Sequence, residues 1–333
     1  MRSPSLTDLP EAPPGKTGWP WTEESRQLPA RMGDGREWPR ISIVTPSFNQ
    51  GRFIEETIRS VLLQGYPNLE YIVVDGGSQD ESLSVIRRYE PWLAHWVSEK
   101  DRGQTHAINK GMAQTTGQIQ AYLNSDDVYL PGALSRVARL ADPAKAQLLF
   151  GDVCLIDNTD WQTLRRLPKG HISRDDMIFG GTPLSQPASF WTKPLAESVG
   201  PFDETLHYAM DYDIMLRMLA ARAHRVYLDQ AIAVERRHEL QKSANKELLY
   251  QEKARVRFAV AGTLGMKRWW YLVRCWLHPR LRRPVRWHKF RTATQQERYL
   301  FSILWAQTRA PRFFSLSKSK GERKQAASVV SQN

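Results

Sequence analysis

The sequence predicts an α/β fold with a mainly parallel sheet flanked by helices. Two observations lead to this prediction. Between residues 40 and 155, short β-branched runs alternate with amphipathic segments of helix length, which is typical of βαβ units. Glycine-rich or acidic stretches follow several of these runs, and open sheets of this class bind ligands where their strands end.

The predicted elements follow one another in a regular order. The run ISIVTPS is the first strand, and GRFIEETIRSVLLQG is the first helix because its apolar residues recur at helical spacing before Gly65 and Pro67. Later strands are predicted at LEYIVVDGG, HWVSE, QIQAYLNSD and AQLLFGDVCLI. The helices between them are SQDESLSVIRRYEPWL, QTHAINKGMAQTT and LPGALSRVARLA.

After residue 155 the alternation loosens. The pattern there predicts a brief strand at PASFW, a helix at MDYDIMLRMLAARA, and two closing strands at HRVYLD and AIAVERRHE. The acids at the start of the MDYD helix suit the positive end of the helix dipole. Because PSFN, DGGS and NSDD all follow predicted strand ends, we expect these three stretches to meet along one edge of the sheet.

Composition divides the chain into four regions. Residues 1–38 are rich in Pro, Gly and Ser without any period, so we expect them to be disordered. The α/β domain is expected to span residues 39–245. Residues 246–312 have a helical pattern dense in Arg and Trp, and residues 313–333 are expected to form a disordered tail.

Positive charge is concentrated at the C-terminal end. The net charge is +12, but residues 246–333 alone hold 20 Lys and Arg against four Asp and Glu. Tryptophan favours the water–lipid boundary and cations favour anionic headgroups, so this region indicates an anionic membrane surface as a partner. The alternative is a helix packed on the α/β domain with a solvated basic face. No recognised nucleic-acid module precedes it, so we expect no nucleic-acid partner.

Several functional classes are disfavoured by missing patterns. Cys154 and Cys275 have no CxxC partner, which indicates a reducing compartment. The sequence shows neither an apolar leader nor a run of about 18 apolar residues, so we expect a cytoplasmic protein, peripheral on the inner face of the membrane. The absence of GxGxxG after a strand and of GxxxxGK[ST] weighs against a dehydrogenase and an ATPase.

Acidic residues stand at predicted strand ends and at one helix start. Asp75 closes the second strand, Asp126 and Asp127 close the fourth, and Asp211 and Asp213 begin the MDYD helix. Mg²⁺ and Mn²⁺ prefer carboxylate oxygens, commonly one or two together with substrate phosphates. Each acid could instead cap the helix that follows it. The adjacent pair after a buried strand favours a metal site.

Three long blocks resemble the nucleotide-binding half of the family 2 glycosyltransferases, which have the GT-A fold. They are ISIVTPSFNQGRFIEETIRSVLLQGYPNLEYIVVDGGSQDES, EKDRGQTHAINKGM and LNSDDVYLPGAL, and the resemblance extends from about Pro39 to about Ser243. It implies inverting transfer of a sugar from a nucleotide diphosphate donor, expected to be a UDP-sugar, to a hydroxyl acceptor, with Mg²⁺ or Mn²⁺. By analogy, the acceptor is a lipid-linked glycan precursor of a cell-surface polysaccharide.

The resemblance also implies individual roles. The implied donor contacts begin with Pro46, Ser47 and Phe48 at the strand end that frames the base, and with Asp75 at the base edge. Arg102 and Gly103 are in the loop near the diphosphate, Asn109 is on the helix that follows, and Asp126 contacts the ribose region. Asp127 would bind the metal, and His238 would be a second metal or phosphate contact. Asp211 would be the catalytic base, with Asp213 as the alternative.

The sequence departs from the family pattern at two positions. Asn124 stands where the family often has Asp, and Met210 replaces the Glu that commonly precedes the base. These departures leave open a catalytically silent nucleotide-sugar-binding protein. A membrane-surface adaptor acting through the basic C-terminal region is the other alternative.

Overall fold

The computed structural model describes residues 3–157, 160–165, 172–180, 184–238, 241–242 and 245–263. Its strands are β1 (Ile41–Ser47), β2 (Leu69–Asp75), β3 (His95–Ser98), β4 (Ile119–Tyr122), β5 (Val128–Tyr129), β6 (Gln147–Asp157), β7 (Asp160–Arg165), β8 (Ser189–Thr192) and β9 (His224–Arg237). Its helices are α1 (Ile54–Leu62), α2 (Ser82–Tyr89), α3 (Gln104–Ala113), α4 (Ala133–Leu140), α5 (Arg174–Gly180), α6 (Lys193–Val199), α7 (Met210–Ala220) and α8 (Lys246–Thr263).

The strands form one sheet in the order β3-β2-β1-β4-β8-β6-β9-β5, with β7 paired to β6. The first four strands are parallel, as predicted, and β6 is parallel to β9. The remaining pairings are antiparallel, so the sheet is mixed rather than mainly parallel. One reason is local: β7 begins three residues after β6 ends, and so short a connection permits only antiparallel pairing.

The sheet is buried on both faces, which explains its continuous apolar strands. In β1, Ile41 and Ile43 pack into one core with α1, α2 and α4, whereas Val44 points into a second core with α3 and α7. Successive side chains of a strand point to opposite faces, so one short run supplies both cores.

The carboxyl ends of the parallel strands are level with one another. Ser47 at the end of β1 pairs with Asp75 at the end of β2, and Asp75 pairs with Ser98 at the end of β3. Tyr122, the last residue of β4, pairs with Val44. The stretches PSFN, DGGS and NSDD therefore gather at one edge of the sheet, as the sequence predicts.

The N-terminal segment differs from its prediction of disorder. Its described part, residues 3–38, packs against α1 and buries Leu9, Trp21 and Trp38. The Arg59 side chain of α1 is 1% exposed and donates hydrogen bonds to three carbonyl oxygens of this segment. Buried aromatic side chains and hydrogen bonds to backbone carbonyls order this segment, although its sequence shows no helical or strand periodicity.

The closing part of the fold also differs in detail. The two strands predicted at HRVYLD and AIAVERRHE are a single strand, β9. The pattern breaks because the register with β6 shifts between Tyr227 and Ala231, where Asp229 has a φ of 50°. Such a bulge changes the side-chain alternation without ending the strand.

The predicted boundary after residue 245 does not separate α8 from the α/β domain. This helix packs against α7, and Val256 lies in the same core as the α7 residues. Predictions for residues 264–312 and for the tail 313–333 lie outside the described residues. Within the part of the chain that the structure describes, no helix is both long and apolar enough to cross a membrane.

Candidate active site

A cleft of about 600 Å³ opens at the carboxyl ends of β1, β2 and β4. The strand-end loops, the start of α3, the start of α7 and residues 241–242 form its walls. Six predicted site residues line it, namely Pro46, Ser47, Phe48, Gly103, Asp126 and Asp211. The other predicted residues lie behind this surface or beside it.

The end of β1 forms an amphipathic wall of the cleft. Phe48 is 58% exposed, which leaves an aromatic surface at the rim. Ser47 Oγ and Gln50 Oε1 are buried without a hydrogen-bond partner among the described residues. Buried polar atoms are normally paired, so these two are available to a ligand.

Asp75 is buried beneath the cleft and does not line it, contrary to its predicted contact with a base edge. Its carboxylate accepts hydrogen bonds from Gly77 N (3.1 Å), Ser78 N (2.9 Å), Ser78 Oγ (2.5 Å) and Ser98 Oγ (2.7 Å). These bonds shape the DGGS loop, and Gly76 of that loop reaches the cleft. Asp75 therefore shapes the cleft indirectly, by holding the backbone of the DGGS loop.

The start of α3 contributes backbone rather than the predicted side chains. Gly103 lines the cleft with a φ of +114°, a conformation that favours glycine, and Asp101 Oδ1 accepts its N–H at 2.7 Å. Arg102 instead forms an exposed ion pair with Glu204 at 2.6 Å. Asn109 bonds the backbone of Phe202 through both ends of its amide. Arg102 and Asn109 are therefore outside the cleft.

Asp126 lines the cleft and contacts His238, whose buried side chain does not itself line it. Asp126 Oδ2 lies 3.0 Å from His238 Nε2, and the His238 ring packs on Phe53 with ring centroids 4.8 Å apart. The pair brings together two elements that are more than 100 residues apart, the NSDD loop and the end of β9. Only the three-dimensional fold makes these two side chains neighbours.

The predicted metal ligand Asp127 is not at the cleft. Its side chain is 3% exposed, Oδ1 accepts the backbone N–H of Arg236 at 3.1 Å, and Oδ2 accepts from Asn124 Nδ2 at 3.3 Å. Burial raises the pKa of the Asp127 carboxyl well above its usual value, and the nearby charges of Asp126 and Glu235 act in the same direction. Asp127 joins the NSDD loop to β9, and the cleft position belongs to Asp126.

Asn124 is the centre of an amide network that the sequence did not reveal. Its Oδ1 accepts from Gln104 Nε2 at 2.8 Å, and its Nδ2 donates to Gln186 Oε1 at 3.1 Å as well as to Asp127. Gln186 in turn donates to the Tyr122 carbonyl at 2.6 Å. An aspartate at position 124 would lack the donor that this network requires, which explains the departure from the family pattern.

Asp126 offers the kind of carboxylate oxygen that a hard divalent cation prefers, with His238 beside it as a second candidate ligand. Among the described residues, no three His, Cys, Asp or Glu side chains form a metal-binding group, so the protein would supply Asp126 and His238. Mg²⁺ commonly uses one or two protein ligands together with phosphate oxygens and water. Asp126 Oδ2 and His238 Nε2 are within hydrogen-bond distance of each other at 3.0 Å, and a cation held by both atoms would replace this contact.

Asp211 lies on the opposite wall, in the first turn of α7. Burial raises the pKa of this carboxyl above its usual value, Lys253 opposes the rise, and Glu235 adds to it. The alternative base Asp213 forms an ion pair with Arg217 at 2.7 Å and does not line the cleft. Met210 is 6% exposed and contributes an apolar patch beside Asp211.

This sheet order, with an acidic cleft at its carboxyl edge, defines a GT-A type α/β protein. The chain belongs to glycosyl transferase family 2, the family whose pattern matches residues 42–193. An uncharacterized glycosyltransferase of Mycobacterium tuberculosis is 30% identical over 186 residues, covering 54% of this chain and 68% of that protein. An uncharacterized glycosyltransferase of Rickettsia typhi is 28% identical, covering 60% of this chain and 64% of the relative.

Some relatives are considerably longer. An uncharacterized glycosyltransferase of Rickettsia bellii is 25% identical over 65% of this chain, but only 32% of that protein is covered. Among solved structures, S. aureus TarS in complex with UDP-GlcNAc has the same fold, with a TM-score of 0.60 and 16% identity over 80% of this chain and 81% of the TarS chain. A TarS complex with UDP gives a TM-score of 0.55, with 18% identity over 70% and 68% of the two chains.

Proposed function

We propose that this chain is an inverting glycosyltransferase. It moves a sugar from a nucleotide diphosphate donor, expected to be a UDP-sugar, to a hydroxyl group of an acceptor, with Mg²⁺ or Mn²⁺ as cofactor. The observation that carries the proposal is one cleft with Asp126, in contact with the buried His238, on one wall and Asp211 on the other. A donor can be bound on the first wall while the second acts on the acceptor.

The donor side is supported by the chemistry of its wall. The exposed Phe48 ring offers a face for a base, while Ser47 Oγ and Gln50 Oε1 offer unpaired polar atoms. Asp126 and His238 would hold the cation. When bound, the cation neutralises the charge that develops on the departing diphosphate. The UDP-GlcNAc complex of TarS, which shares the fold, supports a UDP-linked donor.

The acceptor side is supported by Asp211. An ionised carboxylate at this position takes the proton of the acceptor hydroxyl as its oxygen attacks the anomeric carbon. The bond between that carbon and the diphosphate oxygen breaks on the opposite face, and its electron pair leaves with the nucleoside diphosphate. The new glycosidic bond therefore has inverted configuration. The raised pKa keeps the carboxylate basic enough for this step.

The acceptor and the cellular location remain parts of the proposal that rest on the sequence. The basic, tryptophan-rich region from residue 246 onwards supports attachment to an anionic membrane surface, on the cytoplasmic side. A lipid-linked glycan precursor of a cell-surface polysaccharide is an acceptor that such attachment would make accessible. This choice of acceptor rests on the chemistry of the basic region, because a fold by itself does not determine the acceptor.

The experiment that tests the function is a turnover assay with the full chain. Thermal-shift screening of nucleotide sugars with Mn²⁺ first identifies the donor, because a ligand of the folded state raises the melting temperature. Release of nucleoside diphosphate in the presence of lipid-linked acceptors is then measured for the unmodified chain and for Asp211→Asn. We expect the variant to bind donor normally and to lose transfer by about 100-fold or more.

The same assay decides between the enzyme and a catalytically silent binding protein. Donor binding without nucleotide release, across a range of acceptors, would establish the silent protein and reject the transferase. Normal turnover by Asp211→Asn would place the base elsewhere. The two departures from the family pattern do not favour silence, because Asn124 is fully paired and Met210 leaves Asp211 at the cleft.

A further inference from the structure

The acceptor wall of the cleft depends on a helix outside the region that matches the family. Residues 205–209 form the loop that leads into α7, and His207 and Tyr208 of this loop line the cleft together with Asp211. The family match ends at residue 193, whereas α8 begins at Lys246. The loop, Asp211 and α8 therefore all lie beyond the matched region.

Glu252 of α8 binds three consecutive backbone N–H groups of the loop. Its Oε1 accepts from His207 N at 2.9 Å, and its Oε2 accepts from Tyr208 N at 2.6 Å and from Ala209 N at 2.9 Å. Hydrogen bonds from a backbone N–H to an ionised carboxylate are among the stronger ones in proteins. One side chain thus fixes the path of three residues directly before the helix that carries Asp211.

The start of α7 has no side-chain cap of its own. Ala209 is the N-cap residue of α7 and has no side chain that can accept a hydrogen bond. The N-terminal end of α7 also carries partial positive charge, which a carboxylate stabilises. Glu252 meets both requirements from a distance of about 40 residues along the chain.

Further α8 side chains hold the residues around Asp211. Arg257 Nε donates to Tyr212 Oη at 2.9 Å, and Lys253 lies over the Tyr212 ring, 5.3 Å from its centroid. Arg255 donates to Thr205 Oγ1 at 3.2 Å at the start of the loop. From the other side, Thr105 of α3 donates to the Leu206 carbonyl at 2.8 Å. The loop is therefore held between α3 and α8.

We propose that Glu252 is a positioning residue for sugar transfer, which holds the 205–209 loop and through it the Asp211 carboxylate. The inference rests on the proposed function in one respect, the role of Asp211 as the base. Donor-side residues such as Phe48 and Asp126 lie on other elements, so we expect the loss of the Glu252 contacts to affect donor binding less than transfer.

The first test measures the loop directly and needs no turnover. Hydrogen–deuterium exchange of the segment 204–213 is compared between the unmodified full chain, E252Q and E247Q. E252Q keeps the size of the side chain but removes its charge and one acceptor oxygen. Glu247 is an exposed residue of the same helix that hydrogen-bonds to Gln251, so E247Q is the matched control. We expect faster exchange in E252Q only.

The second test separates kcat from the donor KM. A misplacement on the order of 1 Å costs about 100-fold in rate, so we expect kcat of E252Q to fall about 10- to 100-fold with an unchanged donor KM. E252D, which keeps the charge on a shorter side chain, should recover part of kcat. Calorimetry with UDP and Mn²⁺ should give the same affinity for all variants.

The outcomes distinguish this inference from the proposed function. Unchanged loop exchange in E252Q overturns the inference, whatever the turnover. Faster exchange with unchanged kcat also overturns it, because the loop would then not position the base. If the unmodified chain binds donor but transfers no sugar, the proposed function fails, and the exchange data still decide whether Glu252 holds the loop.

Discussion

Asp126 and Asp127 are adjacent in the chain but lie in different environments. Asp126 lines the cleft beside His238, while Asp127 is buried behind it against the backbone N–H of Arg236. The two acids lie in the turn between β4 and β5, in which the Asp127 N–H donates to the Asn124 carbonyl at 3.1 Å, and only Asp126 lines the cleft. The tertiary position of β9 decides which of the two acids does so.

This difference predicts opposite phenotypes for two matched variants. Asp126→Asn should abolish metal-dependent UDP binding and leave the free energy of unfolding nearly unchanged. Asp127→Asn should lower the free energy of unfolding by about 1–3 kcal/mol, because it brings an NH₂ group against buried donors. Calorimetry with UDP and Mn²⁺ and urea denaturation measure the two effects. Metal-dependent UDP binding that survives in Asp126→Asn would reject Asp126 as a ligand.

The Asp211 carboxyl predicts a pH dependence. Burial raises its pKa, and a base must be deprotonated, so transfer should be lost as the pH falls through a value above that of an ordinary aspartate. Lys253 on α8 lowers this pKa, whereas Glu235 on β9 raises it. Removing the Lys253 charge should therefore raise the pKa of Asp211, and the acidic limb of the pH profile of transfer should move to higher pH.

The measurement is the pH profile of kcat for the unmodified chain and for Lys253→Met. We expect the acidic limb of the variant at higher pH, with the same donor affinity at neutral pH. Lys145→Met, which removes an exposed charge paired with Asp142, is the control and should leave the limb in place. A limb that does not move in Lys253→Met would show that another group controls it.

Among the elements, the N-terminal segment shows how a chain without periodicity becomes ordered. The Arg59 guanidinium donates to the carbonyls of Pro10 at 2.8 Å, Pro20 at 3.0 Å and Trp21 at 3.1 Å. Trp19 Nε1 donates to the Tyr129 carbonyl at 2.7 Å. These bonds cross between the segment and the α/β sheet, so the segment is part of the folded domain.

Replacing Arg59 should therefore destabilise the protein strongly. Arg59→Met leaves three buried carbonyls without a donor, and we expect the free energy of unfolding to fall by about 3 kcal/mol or more. Arg88→Met is the matched control, because Arg88 is half exposed in its ion pair with Glu55 and should cost no more than about 1 kcal/mol. Urea denaturation gives both values, and equal losses would contradict the role of Arg59.

At the scale of the whole molecule, positive charge is concentrated in the chain beyond the residues that line the cleft. The cleft residues lie between positions 46 and 242, while 20 of the 47 Lys and Arg residues follow position 245. A basic cluster near an anionic surface contributes on the order of 1 kcal/mol per residue, which is enough for reversible attachment.

The chain should consequently bind vesicles that contain phosphatidylserine and not those of phosphatidylcholine alone. Raising the salt from about 0.1 M to 1 M shortens the Debye length from about 10 Å to 3 Å and should release the protein. Cosedimentation measures this for the unmodified chain and for a variant with Arg280, Arg282, Arg283 and Arg286 changed to Gln. Salt-independent binding, or equal binding by the variant, would reject electrostatic attachment.

The sequence was informative wherever a pattern is local. Alternating strands and helices predicted the α/β class, and the polar stretches after strands correctly predicted the edge at which the cleft lies. It failed for Arg102 and Asn109, because their partners Glu204 and Phe202 are about 100 residues away. The amides of Gln104 and Gln186 were missed for the same reason, since neither stands in a recognisable motif.

The sequence by itself determined the family, the fold class and the types of side chain at the cleft, because strand periodicity and strand-end motifs depend on near neighbours. Only the tertiary structure decided that Asp126 rather than Asp127 lines the cleft, that Asp213 is paired with Arg217, and that Glu252 accepts hydrogen bonds from the loop before Asp211. Each of these depends on the direction of a side chain or on a contact between distant elements, and packing fixes both.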